Sequence, residues 1–182
     1  MKKYLIIPLL LLAGCSGTRV LHTETGDNAD LTRYQSFDFF QVKASGDTVS
    51  ALFTERINVL KEAITVEMER RGYHYTTNHP QLLVNIGIRI KEEVQTRETD
   101  WRTDGAPRYI GQRNYSWKSE VIEVGRYHEG TVAIHLVDAA ENKMVWRGIV
   151  RGIVPENQKN VQAEVQKGIS MLFDKFPVPK KQ

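Results

Sequence analysis

A long run of alternating apolar and polar residues between Gln81 and Glu98 restricts the possible folds more than any other part of the sequence. Its apolar members are Leu82, Val84, Ile86, Ile88 and Ile90. Strict alternation is typical of a β-strand with one buried face and one face in water. Such strands belong to antiparallel sheets that are covered on one side. The run therefore predicts a sheet with a single packed face.

The remaining periodic segments predict four more strands and two helices. Strands are predicted over 34–43, 117–126, 131–138 and 143–154. Helices are predicted over 50–71 and from about 157 to Pro177, because apolar residues recur there at spacings of three and four. The order β-α-β-β-β-β-α predicts an α+β fold. We expect a mainly antiparallel sheet of about five strands with both helices packed on one face.

The N-terminus has the pattern of an export signal. Lys2 and Lys3 precede a short apolar run that is well below the roughly 20 residues of a transmembrane helix. The run ends in Leu12-Ala13-Gly14-Cys15, which resembles the bacterial lipobox. This resemblance implies cleavage after residue 14 and covalent attachment of lipid to Cys15. Cys15 is the only cysteine, so no internal disulfide is expected.

These features divide the chain into four parts. Residues 1–14 are predicted to be the signal peptide, 15–33 a lipidated N-terminus with a flexible tether, 34–177 a single α+β domain, and 178–182 a polar C-terminal tail. Two or more acyl chains hold a protein durably on a membrane. An aspartate directly after the lipidated cysteine resembles an inner-membrane retention signal. This chain has Ser16 at that position, which favours the outer membrane and its periplasmic side.

The charge pattern argues against a nucleic-acid partner. Removal of Lys2 and Lys3 with the signal lowers the basic count from 25 to 23 against 22 acidic residues, so the formal charge falls from +3 to +1. No block of like charge is present either. The membrane, through the lipid, and an envelope protein or glycan are the expected partners.

Several short motifs together resemble a known family. They are Tyr34-Gln35-Ser36-Phe37, Arg71-Gly72-Tyr73, Leu82-Leu83-Val84-Asn85, Gly130-Thr131, Leu136-Val137-Asp138 and Val145-Trp146-Arg147-Gly148. In this order they resemble the domain-of-unknown-function family DUF4136, a family of Gram-negative envelope lipoproteins, over residues 34–177. The resemblance implies a lipobox, a periplasmic α+β domain and no assigned enzyme activity.

No motif predicts catalysis or a cofactor. A Gly-x-Ser-x-Gly elbow and a glycine-rich phosphate loop are both missing from the sequence. The histidines have no metal-ligand spacing, and Glu92, Glu93, Glu120 and Glu123 are interpreted as surface charges. We therefore expect a protein that is not an enzyme and carries no cofactor or metal besides the lipid on Cys15.

The segment 99–116 is a candidate binding loop. It joins two predicted strands but is far longer than the two to five residues of an ordinary hairpin loop. Its aromatic and arginine residues are Trp101, Arg102, Arg108, Tyr109, Arg113 and Tyr115. These residue types dominate binding hot spots. The hypothesis is a loop that binds an envelope protein or glycan, and a merely soluble loop stays open as the alternative.

Five motif residues have less certain roles. Trp146 is predicted to pack under a helix, Arg147 to point to the other face of the sheet, and Gly148 to mark a bulge or a close approach. Asp138 is predicted to accept backbone hydrogen bonds in a turn. Gly130 opens the alternating segment before that turn, and the sequence gives it no further role.

The favoured function is a non-enzymatic binding or adaptor module of the cell envelope, with its oligomeric state open. One alternative is binding of a lipid or other apolar ligand between helices and sheet, which predicts an apolar pocket. Another is a glycan or cell-wall hydrolase, which predicts a cleft that joins two carboxylates or a serine and a histidine.

Overall fold

The computed structural model describes residues 17–46, 53–100, 104, 119–155 and 157–181. The predicted signal peptide with its lipobox residues Leu12, Ala13 and Gly14, and the lipid attachment site Cys15, lie outside this part of the chain. The same holds for all six candidate loop residues, Trp101, Arg102, Arg108, Tyr109, Arg113 and Tyr115.

The domain is an α+β fold with two helices and one six-stranded mixed sheet. In chain order the elements are β1 (Arg19–Thr25), a 3-10 turn (Leu31–Arg33), β2 (Ser36–Gly46), α1 (Phe53–Glu69), β3 (His74–Tyr75), β4 (Leu82–Glu98), β5 (Val121–Asp138), β6 (Lys143–Val154) and α2 (Gln158–Phe173). The sheet order is β1-β6-β5-β4-β2-β3. The predicted α+β class is confirmed.

Both helices cover the same face of the sheet. From α1, Leu60, Ile64 and Met68 are buried, and from α2, Ile169, Leu172 and Phe173. They pack on the alternating apolar side chains of the central strands, such as Ile86 and Ile134, which are almost fully buried. The other face of the sheet carries the polar members of the same alternation.

The sheet is mainly antiparallel, as predicted, but it also contains two parallel strand pairs. β2 pairs in parallel with both β3 and β4. The reason is that α1 carries the chain from the end of β2 back to the edge of the sheet at which β2 begins. Parallel neighbours need a crossover of this length, usually a helix. The other pairs are antiparallel.

The prediction of a flexible tether over 15–33 is wrong for the described residues 19–25 and 31–33. Arg19–Thr25 forms β1 at the edge of the sheet, antiparallel to β6, and Leu31 is buried in the 3-10 turn. An edge strand is held by backbone hydrogen bonds along one side, so its side chains can stay polar. This strand is the sixth, where about five were expected.

Two further boundaries differ from the prediction. The strands expected over 117–126 and 131–138 are one strand, β5, of 18 residues. Gly130 does not interrupt it, because it stays extended and pairs with both Ile90 and Gly152. The expected polar tail over 178–182 is partly fixed, since the Lys181 amide donates to the Arg70 carbonyl and Val178 packs on the core.

β4 and β5 extend beyond their neighbours as a two-stranded ribbon. β2 accompanies β4 only as far as Ile90, and β6 accompanies β5 only from His128 onward. Among the described residues, 93–98 and 121–127 therefore pair only with each other. The ribbon ends at the segment 99–120 that contains the predicted binding loop. In the described ranges, neither helix has the length and hydropathy needed to cross a membrane.

Candidate functional site

An apolar cleft of about 130 Å3 lies between the N-terminal halves of both helices and the sheet. Aliphatic side chains from α1, α2 and three strands line it, among them Ile57, Ile88, Ile90, Val132, Val161 and Val165. The predicted apolar pocket between helices and sheet thus has a counterpart in the structure.

Small residues as well as aliphatic ones line the cleft at this end of the core. At the other end, Trp146, Phe173 and Phe176 stack on one another with ring centroids 5.0–5.6 Å apart and fill the space under α2. At the cleft, α2 contributes Gly168 and the sheet contributes Gly130 and Gly152.

Gly130 and Gly152 also allow close contacts in the cleft wall. A Cβ atom on Gly130 would lie 2.8 Å from Val154 Cγ2, and one on Gly152 would lie 2.9 Å from Thr18 Oγ1. Both separations are shorter than any ordinary contact. The predicted motif residue Gly130 is therefore required by packing beside the cleft.

Three charged residues join the apolar lining. They are Arg56 on α1, Arg151 on β6 and Glu164 on α2. Thr18 donates a hydrogen bond of 3.4 Å to Glu164, and Arg151 lies 3.3 Å from Glu129. The Nε atom of Arg56 is buried and has no hydrogen-bond partner in the part of the chain that the structure describes. In the described ranges, the cleft lining therefore includes a buried guanidinium nitrogen without a hydrogen-bond partner.

The N-terminal segment passes along the rim of this cleft. Thr18 is only 8 % exposed and lines the cleft. A Cβ atom on Gly17 would lie 3.0 Å from Ile153 Cδ1, so the chain is already packed against β6 one residue earlier. The chain that leads to Cys15 thus leaves the domain directly beside the cleft.

The motif residues of β6 adopt the predicted orientations. Trp146 is fully buried under α2, and Arg147 lies on the other face, where it pairs with Glu24 at 2.5 Å. A Cβ atom on Gly148 would lie 2.4 Å from Cη2 of Trp146 and 2.8 Å from Leu172 Cδ1. The indole ring therefore occupies the space that any side chain at 148 would need.

Asp138 organises the turn between β5 and β6. Its carboxylate accepts the amides of Ala140 and Glu141 at 2.8 and 2.9 Å. It also accepts the Tyr34 hydroxyl at 2.7 Å and the Arg33 guanidinium at 2.8 Å. These donors, led by the Glu141 amide, lower the pKa of Asp138 below its ordinary value. The cluster ties the turn to the segment that leads into β2.

A buried ion pair between Glu67 and Arg71 was missed by the sequence reasoning. Arg71 Nη1 donates to Glu67 Oε2 at 2.6 Å, and both side chains are at most 4 % exposed. Arg71 also donates to the carbonyls of Phe173 and Val178. The spacing of four residues on a helix signals a pair. Its burial depends on the C-terminal segment, which no local pattern places there.

The candidate catalytic groups are scattered. In the described ranges no three His, Asp or Glu side chains lie close enough together to hold a metal ion. Glu93 pairs with Lys91, and Glu92 and Glu123 both pair with Arg126 on the ribbon. His135 is half-buried on the open face of the sheet, where burial and the charge of Arg147 lower its pKa.

Comparison with solved structures finds proteins of similar fold at low sequence identity. A PDZ domain protein from Parabacteroides distasonis superposes with a TM-score of 0.50 at 12% identity, covering 91% of this chain and 38% of that protein. The chain thus spans well under half of that protein. A DUF4136 protein from Bacteroides thetaiotaomicron has a TM-score of 0.48 at 15% identity, covering 85% of this chain and 95% of the other.

A minor lipoprotein from Acinetobacter baumannii is more distant, with a TM-score of 0.32 at 9% identity over 81% of this chain and 98% of that protein. At 12% identity, the likeness of this chain to the PDZ domain protein indicates a similar fold and not a common activity. A comparison with curated proteins finds no significant match. The family model described as a domain of unknown function, DUF4136, matches residues 22–178. Because this match spans most of the sequence, the chain belongs to the DUF4136 family.

Proposed function

We propose that the protein is an envelope lipoprotein, anchored through lipid on Cys15 to the periplasmic side of the outer membrane. The lipobox pattern Leu12-Ala13-Gly14-Cys15 supports the anchor, and two or more acyl chains make such an anchor durable. The folded domain then acts as a binding module rather than as an enzyme.

The class of ligand is proposed from the volume and lining of the apolar cleft. An engineered apolar cavity of about 150 Å3 in another protein binds benzene, whereas sites for drug-sized ligands span roughly 300–1,000 Å3. At about 130 Å3 this cleft takes about six carbon atoms of a larger apolar group. Among the described residues, its lining includes a single carboxylate, Glu164, and no serine or histidine. This composition favours binding of an apolar group over hydrolysis.

Crosslinking in living cells tests this function. A photoreactive p-benzoylphenylalanine at Ile57 in the cleft is expected to form an adduct with an apolar molecule, which mass spectrometry of the purified protein detects. The second substitution Val165→Phe fills part of the cleft. Exclusion of about two methylene groups costs roughly 1.6 kcal/mol, so the adduct should fall at least about tenfold.

Val66 supplies the control for the crosslink. It lies on the same helix as Ile57, is 38 % exposed and does not line the cleft. The photoreactive residue at 66 is expected to give no apolar adduct. Equal adducts at both positions, or none at 57, would contradict binding in the cleft.

A second candidate function is supported by the ribbon. The paired residues 93–98 and 121–127 extend beyond the neighbouring strands and lead into the segment 99–120. Val94, Val121 and Val124 on the ribbon are 48 %, 68 % and 47 % exposed. Exposed apolar side chains that lead to a segment rich in aromatic and arginine residues suit an adaptor that binds an envelope protein or glycan.

Loss of the aromatic residues tests the adaptor function. In the double variant Trp101→Ala/Tyr109→Ala we expect crosslinked capture of a discrete envelope partner to fall at least about tenfold, since hot-spot aromatics contribute about 2 kcal/mol or more each. Phe40→Ala is the control, because Phe40 is 69 % exposed on β2 and not on the ribbon. Unchanged capture by the double variant would argue against the adaptor.

A further inference from the structure

We infer that the cleft opens onto the lipid leaflet that holds Cys15 and takes part of an acyl chain of a lipid of that leaflet. This inference rests on the lipid anchor and the apolar binding proposed above, and adds the source and chemical class of the ligand. Three independent observations support it: the reach of the N-terminal segment, its rigid attachment, and the chemistry of the cleft.

The reach of the chain is short. Thr18 lines the cleft, and Cys15 precedes it by three residues. Successive Cα atoms are about 3.8 Å apart, so the two Cα atoms are at most about 11 Å apart. A free tether of about 15 residues would instead reach roughly 50 Å when extended. The cleft therefore lies within about one lipid headgroup layer of the anchored residue.

The attachment point is fixed on the domain. Thr18 is buried against Gly152, and its hydroxyl donates to Glu164 on α2. From Arg19 onward the chain is paired with β6. The segment cannot swing away without breaking these contacts. The end of the domain that contains the cleft is thus the end that faces the membrane.

The chemistry of the cleft suits a leaflet lipid. An acyl chain that leaves the bilayer for the cleft moves from one apolar environment to another, while the cleft removes its own apolar surface from water. The free volume limits the occupant to part of one chain. The buried, unpartnered Nε of Arg56 lines the same cleft. An arginine there can donate to a headgroup phosphate at the membrane surface.

Fluorescence quenching by brominated lipids tests the source of the ligand. The lipidated full-length protein is reconstituted into phosphatidylcholine vesicles whose acyl chains carry bromine. A bimane label is placed on Ile57→Cys in one sample and on Val66→Cys in a second sample. Lipidation blocks the thiol of Cys15, so only the new cysteine is labelled. We expect the label at 57 to lose at least half of its fluorescence relative to unbrominated vesicles, and the label at 66 to change little. The substitution Val165→Phe should remove the difference.

Each other outcome overturns a defined part of the inference. Equal quenching at 57 and 66, or no quenching at 57, excludes a leaflet acyl chain in the cleft. If Ile57 still forms an apolar adduct in cells, apolar binding stands and only the leaflet source falls. An adduct with the acyl chains of Cys15 itself would also overturn the leaflet source, because the bound group would then belong to the protein's own anchor. If no adduct forms, the binding function falls together with the inference.

Discussion

The variant Arg71→Ala is expected to lower the free energy of unfolding by about 3 kcal/mol, the lower end of the range for breaking a buried ion pair. The substitution leaves the Glu67 carboxylate buried without its closest partner, at 2.6 Å. It also removes donors from the carbonyls of Phe173 and Val178. Lys180, 3.7 Å from Glu67, offsets part of the lost charge interaction.

Arg70→Ala is the matched control for this prediction. Arg70 also pairs with Glu67, at 3.1 Å, but its side chain is 56 % exposed. Exposed ion pairs contribute about 0–1 kcal/mol, so this variant should lose no more than that. Urea unfolding of both variants at neutral pH measures the difference. Similar losses for the two variants would show that burial does not determine how much the Arg71–Glu67 pair contributes to the free energy of unfolding.

The variant Gly148→Ala is expected to destabilise the fold by about 2–3 kcal/mol. Its new Cβ atom would lie 2.4 Å from Cη2 of Trp146 and 2.8 Å from Leu172 Cδ1. The clashing indole is itself fixed by Phe173 and Phe176. Extra atoms in a well-packed core typically cost 1–3 kcal/mol because side chains leave their preferred rotamers.

A double-mutant cycle with Trp146→Phe tests the cause. Phenylalanine lacks the outer ring that meets the Cβ atom, so the cost of Gly148→Ala should shrink by at least about 1 kcal/mol in that background. Gly87→Ala is the control, because its Cβ atom would meet only Ala133, at 3.8 Å. It should cost under about 1 kcal/mol. Thermal or urea unfolding measures all four combinations, and strict additivity would contradict the clash.

The parts of the fold that the sequence predicts are those where one local pattern determines burial. The alternation from Leu82 to Ile90 defines β4, and the helical stripes of α1 and α2 define their packed faces. The Asp138 turn is equally local, because the carboxylate binds amides two and three residues away. These elements need no knowledge of the rest of the chain.

The parts that escape prediction depend on distant partners. Arg19–Thr25 has no clear alternation, and the free edge of β6 places it in the sheet. The parallel pairing of β2 with β4 follows from where α1 returns the chain. Neither the position of β1 in the sheet nor the parallel pairing of β2 is indicated by a pattern in the neighbouring residues.

The candidate site is only partly predictable for a similar reason. The α+β architecture allows an apolar space between helices and sheet, but its position depends on where small residues from different elements meet. Gly130, Gly152 and Gly168 are isolated in sequence and line one cleft in the structure. Thr18 completes the cleft from a segment whose polar composition gives no sign of burial.

The pairing of β1 with β6 also determines when the domain can be completed. Glu24 and Arg147, which form an ion pair across these strands, are 123 residues apart along the chain. Contacts between such distant residues form late, because closing a long loop costs entropy before the contact repays it. The N-terminal strand is synthesised first, but it can pair with β6 only after nearly the whole chain has been synthesised. In a nascent molecule β1 is thus still unpaired, and only the finished chain holds it against β6.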